Sequence, residues 1–337
     1  MPRESATGWE PSQRLGFAAR ALALDRVAAE VASALEDIGV PAIVLKGPAL
    51  IGWLYRDGSP RLYGDIDLLV PPGEVQRSQD VLGTLGFRYA GLAAAPGASL
   101  PPGLGWVRNS QEVDLHGRLV GIGIDPARAW ELLWAETEVK RIGGSQLRVL
   151  SPEARTLHIA LHAAQHGPAW SHPLEDLQRA LDQLPRETWD GAARLAQQLQ
   201  ATAAFAAGLR LLASGAATAD RLRLPTGGPV EAALRAVSAP PMALGLEVLF
   251  RTPGFRKKGA LIVRELFPSP KFLRIWTPIA RRGPIGLGIA YLWRLAWALG
   301  GTVPAVTLWL RIRRQTRRKV AHESDCDSML PDDRSAS

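Results

Sequence analysis

Ten residues constrain this chain more than any others: RLYGDIDLLV, residues 61–70. Ile66, Leu68, Leu69 and Val70 belong in a buried strand, yet Asp65 and Asp67 stand among them two positions apart. Residues at i and i+2 of a strand share a face, so the two carboxylates lie side by side. Adjacent carboxylates repel and lose hydration unless something positive stands between them. A hard divalent cation that takes oxygen ligands, such as Mg²⁺, is the usual partner for such a pair.

Downstream, WVRNSQEVDLHGRLV (106–120) alternates as a second strand. Val113 and Leu115 point one way, and Glu112, Asp114 and His116 point the other. If this strand lies beside the first, Asp65, Asp67 and Asp114 converge. Three carboxylates around one or two Mg²⁺ ions can hold a triphosphate and activate a hydroxyl, one of them taking the attacking proton. Catalysis of that kind rests on positioning and charge stabilisation.

The flanking segments supply a frame for these strands. Residues 15–38 are rich in Ala and Leu with helical periodicity, and Gly39 closes that helix. PAIVLKG (41–47) reads as a short buried strand, and Pro48 suits the first position of a helix through ALIGWLYRD. Another helix is expected over GEVQRSQDVLGTLG, a strand at FRYAG, and a flexible loop over 92–105. The alternation of helix and strand predicts a small α/β domain over 15–150, after a flexible N-terminus at 1–14. From Ser151 the pattern becomes helical, with Pro and Gly breaks and no fixed-period repeat. A helical domain is expected over 151–320, then a polar tail over 321–337 without fixed structure. The fold class is α+β.

VLKGPAL, then RLYGDIDLLV, then LGF, then VDLHGRL, resembles in order and spacing a bacterial nucleotidyltransferase group of the polymerase-β-like superfamily. The likeness covers roughly residues 15–180. It implies a polymerase-β-like domain with a mixed sheet and an all-helical C-terminal domain. The implied reaction is Mg²⁺-dependent transfer of a nucleoside monophosphate from an NTP to an acceptor, with Mn²⁺ as the alternative ion. By the same resemblance Asp65 and Asp67 match the metal ligands. Asp114 takes the place of the group's Glu as third ligand and general base, and His116 matches the His that follows it. Lys46 and Gly47 match the group's Lys-Gly at the nucleotide. Gly47 lets the backbone approach a phosphate, the next helix offers amides, and Lys46 adds a charge. Arg61 is a further candidate for the triphosphate. A catalytically inactive scaffold of the same fold, binding nucleotide or a partner, is the alternative.

HIALHAAQH places His158, His162 and His166 on one helix face. They can be structural, contact the nucleotide, or bind zinc. His162 and Asp176 are expected either to line the cleft or to form a hydrogen-bonded pair between the domains.

The net charge of +8 is concentrated in FRKKG, IARRG and RIRRQTRRK, which suits a polyanion. Nucleic acid is not expected, because no helix-turn-helix or aromatic platform motif is present. The apolar, Trp-rich stretch 283–310 followed by RIRRQTRRK instead suggests an anionic membrane surface. An interfacial hairpin is one reading and helices closing a domain core another. A membrane span is disfavoured by Arg294, Gly300-Gly301 and Pro304. The single cysteine, Cys326, forms no intrachain disulfide. The first fifteen residues lack a secretory pattern, so a cytoplasmic location is expected, with peripheral membrane contact.

Overall fold

The computed structural model describes residues 11–90, 103–227, 229–237 and 239–328. They divide into two compact units. The first takes residues 11–90, 103–162 and 175–205, and the second takes 163–174 and the residues from 206 onward.

In the first unit the chain runs α1 (Pro11–Asp37), β1 (Ile43–Val44), α2 (Pro48–Leu54) and β2 (Asp65–Leu69). A single 3-10 turn over Pro72–Glu74 leads into α3 (Val75–Thr84), β3 (Arg88–Tyr89), β4 (Gly103–Arg108) and β5 (Gln111–His116). Then come α4 (Pro126–Ala135), β6 (Thr137–Ile142) and β7 (Ser145–Leu150). Residues 152–162 of α5 (Pro152–His166), residues 175–183 of α6 (Ser171–Gln183), α7 (Arg186–Gln198) and the start of α8 (Thr202–Leu209) complete it.

The seven strands form one sheet in the order β3-β4-β5-β2-β1-β7-β6. β2 runs parallel to β5 and β1 parallel to β7, while the remaining neighbours are antiparallel. Strand alternation sorts the side chains. Ile66, Leu68, Val113 and Leu115 are buried with Leu24, Val31 and Leu35 of α1. Their odd- and even-numbered neighbours, Asp65, Asp67, Asp114 and His116, therefore occupy the opposite face.

The sheet is larger than the sequence pattern suggested. Residues 106–116 do not form one strand but part of a hairpin, in which Asn109 at φ 56° and Ser110 turn the chain between β4 and β5. Of the expected loop over 92–105, residues 92–102 lie outside the described residues, and Gly103–Gly105 are strand. Glycine is a poor strand former by composition, but here six paired positions with β5 supply the hydrogen bonding. The β6–β7 hairpin, not anticipated at all, turns on Gly143 and Gly144 at φ 60° and 93°, the positive values that a tight two-residue turn requires. Asp125 caps α4, its carboxylate accepting from the amides of Ala127 at 2.9 Å and Arg128.

Arg155 anchors α5. It is 1% exposed, and Nη1 donates to the Ala49 carbonyl at 2.9 Å while Nη2 pairs with Glu138. Its guanidinium lies 4.4 Å from the Trp53 ring centroid. One buried cation thus ties α5 to α2 and β6.

The second unit is helical: α9 (Ala213–Arg221), α10 (Val230–Ala236), α11 (Pro241–Arg251), α12 (Phe255–Leu266), α13 (Pro270–Trp276) and α14 (Gly283–Ser328), with the ends of α5, α6 and α8. Leu234, Ala243, Ala305 and Ile312 form one small core, and Leu273, Ala280 and Ala290 another. The segment 283–310 is not a hairpin. α14 continues through Pro304 and on to Ser328, into the stretch expected to lack structure.

Gly143 is where the β6–β7 turn meets α1. A Cβ there would lie 2.2 Å from the Asp25 carbonyl oxygen, at a φ that L-residues rarely adopt. Gly143→Ala is expected to destabilise the protein by about 3 kcal/mol or more, measured by denaturant titration. A change within about 0.5 kcal/mol, the usual surface value, would show that the turn can move away.

Candidate active site

The site is built on the parallel pairing of β2 with β5. Its register sets Asp65 opposite Glu112, Asp67 opposite Asp114 and Leu69 opposite His116. β4 continues the same face with Gly103 opposite His116 and Gly105 opposite Asp114. A Cβ on Gly105 would lie 3.3 Å from Asp114 Oδ1, and one on Gly103 would lie 3.0 Å from His116 Cε1. The two glycines leave the carboxylate edge uncovered on that side.

Asp67 is the centre of the cluster and is 4% exposed. Lys46 Nζ lies 2.8 Å from its Oδ1, and His116 Nε2 lies 3.0 Å from the same oxygen. Lys46 Nζ is also 3.2 Å from His162 Nε2. The chain places Lys46 there because it leaves β1 beside β2, the Leu45 amide donating to the Asp67 carbonyl at 3.1 Å. Burial by itself would raise Asp67, but the adjacent Lys46 and His116 outweigh it and hold the carboxyl far below the usual range.

Asp67, Asp114 and His116 offer ligand atoms that all lie within 4.8 Å of one another. Asp65 stands on the same face outside that trio. Burial first, and the neighbouring Asp67 charge second, push it up to about 6. Asp114 is likewise raised, mainly by burial, with the Asp67 charge adding to it. One carboxylate is therefore held ionised while two are made more basic. Carboxylate oxygens suit Mg²⁺ or Mn²⁺. An imidazole is a less natural ligand for Mg²⁺, so His116 fits better as the group that orients Asp67.

Arg61 is placed against Asp176 in a two-pronged pair: Nε donates to Oδ1 at 2.8 Å and Nη2 to Oδ2 at 2.7 Å. The Tyr55 hydroxyl donates to the same Oδ1 at 2.6 Å. Asp176 is therefore bonded to both Arg61 and Tyr55. A bidentate Arg–carboxylate geometry is stronger than a single contact, and here both side chains are under 10% exposed. Arg61 Nη1 remains buried without a hydrogen-bond partner among the described residues.

Gly47 sits at φ 56° just ahead of α2, and a Cβ there would press on the Tyr63 ring at 3.1 Å. Two of the amides expected to face a phosphate are engaged: Ala49 donates to the Lys46 carbonyl and Leu50 to the Gly47 carbonyl, both at 3.1 Å. Of the three histidines on α5, His162 reaches Lys46. His158 is buried and, through burial and then the Lys46 charge, is held down to about 3 and so neutral. His166 lies in the second unit, its ring 5.3 Å from that of Trp170. Among the described residues, the donor cluster includes none of the three.

Sequence reasoning missed Tyr55, Gly103 and Gly105. The alternating glycines of GLG, directly ahead of the acidic strand, were the available signal for the last two.

The raised Asp65 carboxyl has a stability consequence. Its folded pKa of about 6 lies above the ordinary carboxyl value of 3.8, so the folded state binds the extra proton between those values. Stability from this group is present at low pH and lost as pH rises through 6, by about 3 kcal/mol at most. Asp65→Asn is expected to raise Tm at pH 8 in chelator, with the gain vanishing near pH 4. A gain independent of pH would rule out titration of Asp65 as its source.

A family model described as uncharacterised nucleotidyltransferase matches residues 4–215. No curated protein matches the chain. Among solved structures, ANT(2'')-Ia in complex with adenylyl-2''-tobramycin is similar at 19% identity and a TM-score of 0.38, covering 52% of this chain and 97% of that one. An antigenic nucleotidyltransferase-like protein from Paracoccidioides brasiliensis is similar at 16% identity and a TM-score of 0.33, covering 54% of this chain and 91% of that one.

Proposed function

Because this chain belongs to the uncharacterised nucleotidyltransferase family, we propose that it moves a nucleoside monophosphate from an NTP to an acceptor hydroxyl and releases pyrophosphate. The observation that carries this reading is the register of β2 on β5, which sets Asp67 beside Asp114 with Lys46 and His116 on the Asp67 oxygen. Asp65, Asp67 and Asp114 would hold Mg²⁺, or Mn²⁺, which supplies neutralisation of the triphosphate charge.

The remaining steps fall to the protein's own groups. The acceptor oxygen attacks the α-phosphorus, the bond to the bridging oxygen breaks, and pyrophosphate leaves with that electron pair. Asp114, made more basic by burial, takes the hydroxyl proton. Lys46, which pairs with Asp67, would be free to contact the phosphates once Asp67 served as a metal ligand. Arg61 is fixed by Asp176 and offers its unbonded Nη1 to the same phosphates. Gly47, where a side chain would press on Tyr63, lets the backbone approach the nucleotide. His162 steadies Lys46, while Asp176 acts only through Arg61. The donor is a cytoplasmic metabolite, and the cytoplasm is the compartment we assign.

One observation favours a second reading. The Lys46–Asp67 pair already offsets the Asp67 charge, as a scaffold without a metal would require. Calorimetry with each of the four NTPs, with and without Mg²⁺, separates the two. Mg²⁺-dependent binding of an NTP, weakened at least about tenfold by Asp67→Asn, together with label transfer lost in Asp114→Asn, supports the enzyme. Mg²⁺-independent binding, or none, supports the scaffold.

A further inference from the structure

Two helices of the second unit present apolar surface to solvent. On α14, Ile285, Ile289, Leu292, Leu299, Val303 and Leu310 recur at helical spacing and are all exposed, Ile285 to 79% and Leu299 to 75%. On α12 no residue is buried, and Phe255 is 92% exposed beside exposed Ile262 and Val263. An apolar surface of this extent on a soluble protein marks a contact.

Charge identifies the occupant. Between Arg282 and Arg311 the one charged residue is Arg294. It is 8% exposed and turned inward, its Nε donating to the Glu265 carbonyl at 2.8 Å. The exposed stripe is thus free of charge along its length and closes on exposed Arg311, Arg314, Arg317 and Arg318. α12 repeats the arrangement on one turn, with Phe255 followed by Arg256 and Lys257, also exposed. A second copy of the chain packing as a coiled coil would place charges beside the seam, whereas here the flanks are Gly288, Trp293, Gly300 and Thr302. Apolar residues with a Trp among them, bordered by arginines, match the interface of an anionic bilayer.

We propose that α12 and α14 form a peripheral docking surface for an anionic lipid membrane. The apolar stripe enters the headgroup–acyl boundary and the arginines pair with lipid phosphates. The helix is long and apolar enough to cross a membrane, but the packing of its other face on α10, α11 and α13 favours a place along the surface. This inference is independent of the reaction proposed above.

The test is flotation of the full-length protein with phosphatidylcholine vesicles, with and without phosphatidylglycerol. The expected result is flotation that needs phosphatidylglycerol and is released by alkaline carbonate. Leu292→Glu/Leu299→Glu and Arg314→Glu/Arg317→Glu, each changing exposed positions and checked for folding by circular dichroism, should each weaken binding about tenfold or more. Absence of flotation, or flotation unaffected by either double variant, would overturn the proposal. Resistance to carbonate would replace it with a span. A soluble oligomer abolished by the leucine variant would replace it with self-association.

Discussion

A buried carboxylate costs several kcal/mol unless its charge is met and its oxygens are bonded. Asp67 is buried and ionised, and the arrangement of the first unit follows from how that cost is offset. Lys46 must leave β1 at the right point, β5 must lie parallel to β2 so that His116 reaches the same oxygen, and α5 must bring His162 to the other side of Lys46. Each of these contacts comes from a different part of the chain. An ion pair assembled this way is a weak source of stability but a strong constraint on geometry, because removing Lys46 or Asp67 leaves the other charge stranded.

That constraint also suits chemistry. The Asp67 charge is balanced by the Lys46 ammonium, a pairing with which a divalent cation would compete. Asp65 and Asp114 carry the electrostatic cost in the meantime, both raised by burial and by Asp67. Strain held at the carboxylates is the usual mark of a site whose ligand relieves it. Arg61 shows the complementary device. Asp176 and Tyr55 immobilise it, so a phosphate bound to its remaining nitrogen would not have to order a flexible side chain.

The second unit obeys a different economy. Its cores are small and Ala-rich, and much of its large apolar surface faces outward. The first unit converges polar groups on one sheet face, whereas α14 carries an apolar stripe with arginines at its C-terminal border.

What the sequence determined by itself is local. Two-residue periodicity set Asp65 and Asp67 on one strand face and Asp114 with His116 on another, because alternation follows from backbone geometry alone. Gly39 and Pro48 marked helix ends for similarly local reasons. The tertiary structure decided which groups meet. It gave Asp176 to Arg61, chose Asp67 with Asp114 and His116 as the tight cluster and left Asp65 outside it. It also recruited the glycines at 103 and 105 into a strand that composition argued against, since ladder hydrogen bonds from β5 outweigh intrinsic propensity. It carried α14 through Pro304, where one lost hydrogen bond is outweighed by packing against α11. Such pairings depend on distances between residues a hundred positions apart, which no local pattern encodes.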